Sequence, residues 1–226
     1  MRKMHFVVAA VALMLTACGK KDEPVPINQP AAIEPPAAAT TTEPKKASEA
    51  QSEDPDIAKR KAAVAFALAE QEIADNPNGQ WATGATASST FNGAKEQASY
   101  SEWQATGAPN VESYGDVGTA WAPKDADAGI EWLQVSFAKP VHATAIKIRQ
   151  NNAPGAIIKI ELIDDQNGKH TIFEGVDETK YPANTIVWFD KTFNKTDYVV
   201  TGAKITLATN AVNGWNEIDA VQLVGE

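Results

Sequence analysis

From about Ala85 to its end the chain is a series of short apolar-alternating runs separated by turn residues, and this pattern restricts its fold more than any other feature. Leu133, Val135 and Phe137 alternate with Gln134 and Ser136, and Ile146 and Ile148 alternate with Lys147 and Arg149. Ile158, Ile160 and Leu162 alternate with Lys159 and Glu161. A period of two places the apolar side chains on one face of a strand, as a half-buried antiparallel sheet requires. Asp165-Gln166-Asn167-Gly168 is a turn that leads into Thr171-Ile172-Phe173, which predicts a hairpin. Further strands are predicted over 185–189, 198–200 and 204–208. The last, over 214–223, carries Trp215, Asn216, Glu217 and Asp219 among apolar residues. A terminal segment that apolar has to be paired into a sheet, because loose ends are polar. Ile218, Ala220, Val221 and Leu223 break strict alternation there, which predicts a bulge or burial on both faces of a central strand. The fold class that results is all-β, an antiparallel β-sandwich of the jelly-roll kind. At roughly 140 residues such a domain buries a core without disulfides or metals.

The first 17 residues are a different kind of sequence. Arg2 and Lys3 precede an apolar run from Phe6 to Leu15, too short to span a bilayer, which reads as a secretory signal peptide over 1–17. Cys18 follows it and is the single cysteine of the chain, so an exported form has no disulfide partner for it. Leu15-Thr16-Ala17-Cys18 resembles the lipobox of bacterial lipoproteins. The resemblance implies cleavage before Cys18, acylation of its thiol and new amine, including palmitate, and durable attachment to a bilayer. Gly19, where an Asp would mark inner-membrane retention in that family, implies the outer membrane. Loss of Arg2 and Lys3 with the signal takes the formal charge from −9 to −11. That acidity argues against nucleic acid as a partner.

Residues 18–54 form a Pro- and Ala-rich tether with Pro24, Pro26, Pro30, Pro35, Pro36 and Pro44 and no apolar periodicity. Such a composition is expected to be disordered and extended, able to hold a domain on the order of 50–100 Å from the bilayer. Asp54-Pro55 then signals a helix start, and Asn76-Pro77-Asn78-Gly79 a stop, so a short helix is predicted over 55–76. Ile57, Val64 and Leu68 share one face, with Phe66 and Ile73 beside it. A helix this short is marginal alone, so it is expected to form a stalk or to dock loosely on the domain over 80–226.

Within that domain an ordered series of short segments carries a second resemblance. It comprises Ala85-Thr86-Ala87-Ser88-Ser89, Thr106-Gly107-Ala108-Pro109-Asn110, Tyr114-Gly115-Asp116, Ala120-Trp121-Ala122-Pro123, Glu131-Trp132-Leu133-Gln134-Val135 and the closing Trp215-Asn216-Glu217-Ile218-Asp219. The series is similar to galactose-binding-like domains of the discoidin and coagulation-factor type C class, in the version found in pappalysins. The resemblance implies a jelly roll whose loops bind a ligand. In relatives that hold calcium, ligands come from the first loop and from a Glu opening the final strand. The resemblance therefore implies Asp116, Thr119 and Glu217 as candidate ligands of a structural calcium. The competing reading is that Glu217 accepts backbone donors and latches the first loop to the last strand.

Trp103, Tyr114, Trp121 and Trp215 lie in loop-like stretches among polar residues, and with Asn216 they are the candidate ligand-binding residues. Aromatic faces stack on the C–H faces of sugars, and side-chain amides and acids hydrogen-bond hydroxyls. Trp132 and Trp188 are expected in the core or on a sheet face. His142 and His170 are expected on surface loops. The sequence contains no G-x-S-x-G, H-E-x-x-H, Walker or dinucleotide-binding signature, and no catalytic residue is nominated. The expected role is a non-enzymatic, lipid-anchored envelope module that recognises a glycan such as a polysaccharide; the alternative is a structural lipoprotein whose loops dock an envelope protein.

Overall fold

A computed structural model describes residues 54–93 and 98–226. The signal peptide, Cys18 and the tether up to residue 53 lie outside the described residues. One helix precedes eight strands: α1 (Pro55–Ala74), β1 (Gly79–Ala87), β2 (Ile130–Val141), β3 (Ala143–Asn152), β4 (Ile157–Asp164), β5 (Lys169–Glu174), β6 (Val187–Thr192), β7 (Val200–Ala208) and β8 (Glu217–Gly225). Every strand pairing is antiparallel, in the order β5-β4-β7-β2-β1-β8-β3-β6.

That single order folds over at β1 into two packed layers. Gly79, Gln80 and Trp81 pair with β8, whereas Ala82 and residues 84–87 pair with β2. The register breaks between Ala82 and Gly84, so a bulge at Thr83 turns the strand from one layer into the other. Leu133, Val135, Ile146, Ile148, Ile160, Leu162, Ile205, Leu207, Ile218, Val221 and Leu223 fill the space between the layers and are buried. These are the inward positions of the alternating runs.

Two predicted strands needed redrawing. Residues 198–200 and 204–208 were expected as separate strands, but of the first only Val200 is in a strand, and it opens β7, which runs on through Gly202. A Cβ at Gly202 would lie 2.7 Å from the Val135 carbonyl oxygen, so the glycine allows close approach to β2 and is not a break. β1 also begins upstream of the resemblance. Its sequence Gly-Gln-Trp-Ala-Thr-Gly-Ala-Thr-Ala has too little apolar contrast for a period of two to be visible.

The irregularity expected in the last strand is present in both of its forms. Arg149 pairs with Ala220 and Gln150 with Ile218, which leaves Asp219 as the extra residue of a bulge. All nine residues of β8 are buried, because loops and α1 cover the face turned away from the core. Asp54 caps α1 by accepting from the Asp56 N–H at 2.9 Å, and Pro55 occupies the first turn.

Three side chains seat the C-terminal half of α1. Phe66 packs on a small second cluster of Val111, Ala120 and Ile186. Ile73 is buried, and its carbonyl accepts from Gln222 Nε2 at 2.8 Å. Glu70 grips the guanidinium of Arg149 with both oxygens, at 2.6 Å from Nε and 3.1 Å from Nη2, and also accepts from Trp188 Nε1 at 3.2 Å. Arg149 is 4 % exposed and also donates through Nη1 to Asp219 and to the Val111 carbonyl. Removing Glu70 leaves Arg149 paired with Asp219, whereas removing Arg149 leaves two carboxylates without their cation. Arg149→Ala is therefore expected to cost about 3–5 kcal/mol and Glu70→Ala only about 1 kcal/mol. Urea unfolding of both variants, with hydrogen exchange along α1, checks this: only α1 should lose protection in Glu70→Ala.

Candidate functional site

The long segment between β1 and β2 forms one end of the sandwich, and Trp121 holds it there. Its indole is fully buried, and its main chain makes a two-bond bridge with Ile218 of β8, N to O at 2.9 and 3.1 Å. Indole Nε1 donates to the Ser89 carbonyl at 3.1 Å, which ties down the segment leaving β1. Trp121 was nominated as a ligand-binding residue. Its complete burial removes it from any ligand surface, and the flanking Ala120, Ala122 and Pro123, all buried, supplied the sequence signal for that.

The next residue builds an aromatic cup. The Phe91 N–H donates to the Ala122 carbonyl at 3.1 Å, and the Ala122 N–H donates to the Tyr100 carbonyl at 3.3 Å. Both aromatics thus hang from one residue, Ala122, beside the buried tryptophan. Phe91 meets Tyr100 edge-on at 5.2 Å and Trp215 edge-on at 5.6 Å. Together with Asp116 and Ala122 these rings line a shallow cup of about 30 Å³. Tyr100 sits at φ 63°, a left-handed conformation that disfavours side chains, and its N–H donates to the Gly118 carbonyl at 2.9 Å. A hydrogen bond from its hydroxyl to Asp116 pushes the Tyr100 pKa up to about 12, with burial adding to the shift. The phenol thus donates to Asp116, which lines the cup beside it. Trp215 Nε1 is enclosed and has no hydrogen-bond partner among the described residues.

Of the nominated residues, Trp215 alone lines the cup as a ring, and Asp116 joins it from the calcium set. Trp103 is exposed on a 3-10 turn (Glu102–Ala105) and does not line the cup. Tyr114 is half-buried against the second cluster, where its hydroxyl accepts from the Ala153 N–H at 3.4 Å. Asn216 is buried and donates through Nδ2 to the Ala153 carbonyl at 2.6 Å, so its nomination is corrected on the same ground as that of Trp121. Phe91 and Tyr100 were missed. Nothing in Ser-Ser-Thr-Phe-Asn-Gly or Ala-Ser-Tyr-Ser distinguishes them, since only the backbone of Ala122 brings them together.

Glu217 shows how the loop is latched. Its Oε2 accepts from Asn151 Nδ2 at 2.6 Å and from the Val117 N–H at 3.2 Å, and its Oε1 accepts from Asn152 Nδ2 at 3.2 Å. Asn151 in turn holds the Gly115 peptide at both ends, at 2.9 and 3.0 Å. Calcium needs six to eight oxygens. Both oxygens of Glu217 face N–H donors, and Thr119 is exposed. Among the described residues no group of three or more His, Cys, Asp and Glu is placed to hold a metal ion. Asp116, Thr119 and Glu217 thus do not fit a calcium site, and the latch reading describes the geometry. His170 accompanies a structural contact as well: its ring stacks on Tyr198 at 3.6 Å and bonds Asp164 at 2.7 Å.

Residues 71–226 match the family described as pappalysin-1, SD scarf domain, C-terminal. No curated protein matches the chain. Among solved structures, chitosan-binding module 1 from a chitosanase/glucanase of Paenibacillus sp. IK-5 is 16 % identical, with a TM-score of 0.46 over 63 % of this chain and 94 % of that one. The family 32 carbohydrate-binding module of C. perfringens NanJ, solved with galactose, is 17 % identical, with a TM-score of 0.44 over 64 % and 98 %. The lectin domain of lectinolysin, solved with Lewis b antigen, is 15 % identical, with a TM-score of 0.44 over 63 % and 92 %. The likeness is one of overall fold and places no ligand on this chain.

Burial raises the Glu217 pKa to about 7, against the opposing pull of its three donors, and nearby Asp116 adds to the rise. The folded state then holds a proton that the unfolded chain releases near pH 4.5. Its contribution to stability is fully present below the unfolded value and is lost as pH rises through the folded one. Asp219, also raised by burial, acts in the same sense. Glu217→Gln is expected to flatten the fall in stability between about pH 5 and 8 relative to the parent, as measured by denaturant midpoints across that range. An unchanged slope would place the titration elsewhere.

Proposed function

We propose that this chain, which belongs to the pappalysin-1 C-terminal SD scarf domain family, is a non-catalytic module of the bacterial cell envelope whose ligand is a glycan. The observation that carries the reading is the aromatic cup. Phe91, Tyr100 and Trp215 meet edge to face, so each pair sets one ring face across another ring's rim. A sugar presents the complementary surfaces: flat C–H faces for the rings and hydroxyls for a carboxylate. Asp116, which is exposed at the cup, supplies that polar group. At about 30 Å³ the cup is far smaller than the ~300–1,000 Å³ pockets that enclose whole drug-sized ligands, so a sugar would lie across its rim and not inside it.

The module is lipid-anchored in this reading, through acylated Cys18 at the outer membrane. The support is the charged and apolar run over 2–15, the Leu-Thr-Ala-Cys motif and the Pro-rich tether that follows. The tether sets the distance at which the cup meets a polysaccharide.

The test is an affinity screen of the Cys18→Ser form against envelope and capsular polysaccharides. Saturable binding is expected, weakened about tenfold or more by Tyr100→Ala or Trp215→Ala, which each remove a stacking face, and unchanged by Trp103→Ala. Absence of saturable binding, with crosslinking that recovers one envelope protein in stoichiometric yield through the same loops, would replace the glycan with a protein partner.

A further inference from the structure

The helix α1 is apolar on two sides, and the domain uses one of them. At about 3.6 residues per turn, Phe66, Glu70 and Ile73 point to one side, where all three meet the sandwich. Ile57, Lys61, Val64 and Leu68 fall on the other. There Ile57, Val64 and Leu68 remain 40, 59 and 61 % exposed, forming with Arg60, Lys61 and Ala65 a continuous shallow face. Long apolar side chains aligned on the solvent side of an already docked helix have no role in holding the fold.

We propose that this outward face of α1 docks on an anionic lipid bilayer. Charge decides between the candidate occupants. Arg60 and Lys61 stand among the apolar side chains, while of the helix's acids Glu70 faces the domain and Asp56 and Glu72 lie toward the ends. An antiparallel second copy would set Ile57 against Leu68 but would bring Arg60 and Lys61 of both copies together, where like charges repel. Three apolar side chains on a single 20-residue helix also fall short of the ~1,000 Å² that a stable protein interface needs. Acidic head groups over an apolar layer match both the cations and the side chains between them. Among the described residues no helix is long and apolar enough to cross a membrane, so α1 would lie along the surface.

The proposal rests on the lipid-anchored reading for proximity alone. With Cys18 acylated, the tether keeps α1 within about 100 Å of a bilayer, and a weak contact then suffices because binding is intramolecular. Because the docked and outward sides of α1 are opposed, the helix would lie between the bilayer and the acidic domain.

The full chain carrying Cys18→Ser and Ala65→Cys has one thiol, at the edge of the outward face. It is labelled with an environment-sensitive fluorophore and mixed with vesicles of phosphatidylcholine, alone or with phosphatidylglycerol. The expected result is a blue shift on the mixed vesicles, with partitioning roughly tenfold or more stronger than on phosphatidylcholine and reversed by salt. It should be lost in Arg60→Glu/Lys61→Glu and in Ile57→Ser/Leu68→Ser. These positions are exposed, so the melting transition of the sandwich should not move. No shift, a shift indifferent to phosphatidylglycerol, or a shift that survives charge reversal overturns the proposal. A shift that grows with protein concentration in the absence of vesicles overturns it in favour of a second copy. The readout is local to α1 and needs neither acylation nor sugar, so failure of the glycan reading leaves it intact.

Discussion

The two hydrogen bonds between Trp121 and Ile218 are the constraint on which the functional end of the molecule depends. Some forty residues separate β1 from β2, and a segment of that length with almost no regular structure loses much chain entropy on ordering. Among the described residues the bridge is its two-bond pairing with a strand, beside single backbone bonds from Gly107 to Ala82 and from Gly115 to Asn151. Burying the indole stabilises the joint, and Nε1 on Ser89 extends it to the end of β1. Ala122 is then fixed as the next peptide, and Phe91 and Tyr100 are fixed through Ala122. Glu217, one residue before Ile218, performs the same task for 115–117. One turn of the chain into β8 therefore positions both halves of the loop.

This dependence explains why β8 is so polar for a strand buried on both faces. Asn216, Glu217, Asp219 and Gln222 are each 1 % exposed. A buried polar group is costly unless its partners are supplied. Here partners arrive from every element packed on the outer side: Asn151 and Asn152 of β3, Val117 and Asn110 of the loop, Arg149, and the last turn of α1. The bulge at Asp219 turns its carboxylate to Arg149 while Ile218 and Val221 both keep their places in the core. An apolar strand would pack as well, but it would not specify where the loop and helix attach.

The fold was legible where burial is one-sided. Leu133, Val135 and Phe137, or Ile146 and Ile148, alternate because one face is core and the other is wet, and the broken alternation of 218–223 likewise foretold a bulge and double burial. Legibility failed where small residues carry the geometry, as in Gly202 of β7 and the Ala- and Gly-rich β1. The site was harder for a related reason. Trp215 stood out as an aromatic beside a turn glycine, whereas Phe91 and Tyr100 are recruited by hydrogen bonds to a distant alanine, which leaves no local trace. Trp121 misled in the opposite direction, because an aromatic in a polar loop serves equally well as a ligand platform or as the anchor of that loop.

The cup's position on backbone bonds has a mechanical consequence. Phe91 is exposed and Tyr100 half-exposed, so neither depends on core packing for its place, and neither supplies much of the core's burial. The anchors, Trp121 and Glu217, are buried and do not line the cup. Stability and the surface of the cup are therefore carried by adjacent but different side chains. Substitutions at 91, 100 or 116 change what the cup presents while Ala122 still holds the same path, whereas substitutions at 121 or 217 move every rim residue at once. A scaffold divided in this way can change the surface of the cup without re-solving its fold, and the left-handed φ of Tyr100 marks where rim and anchor meet.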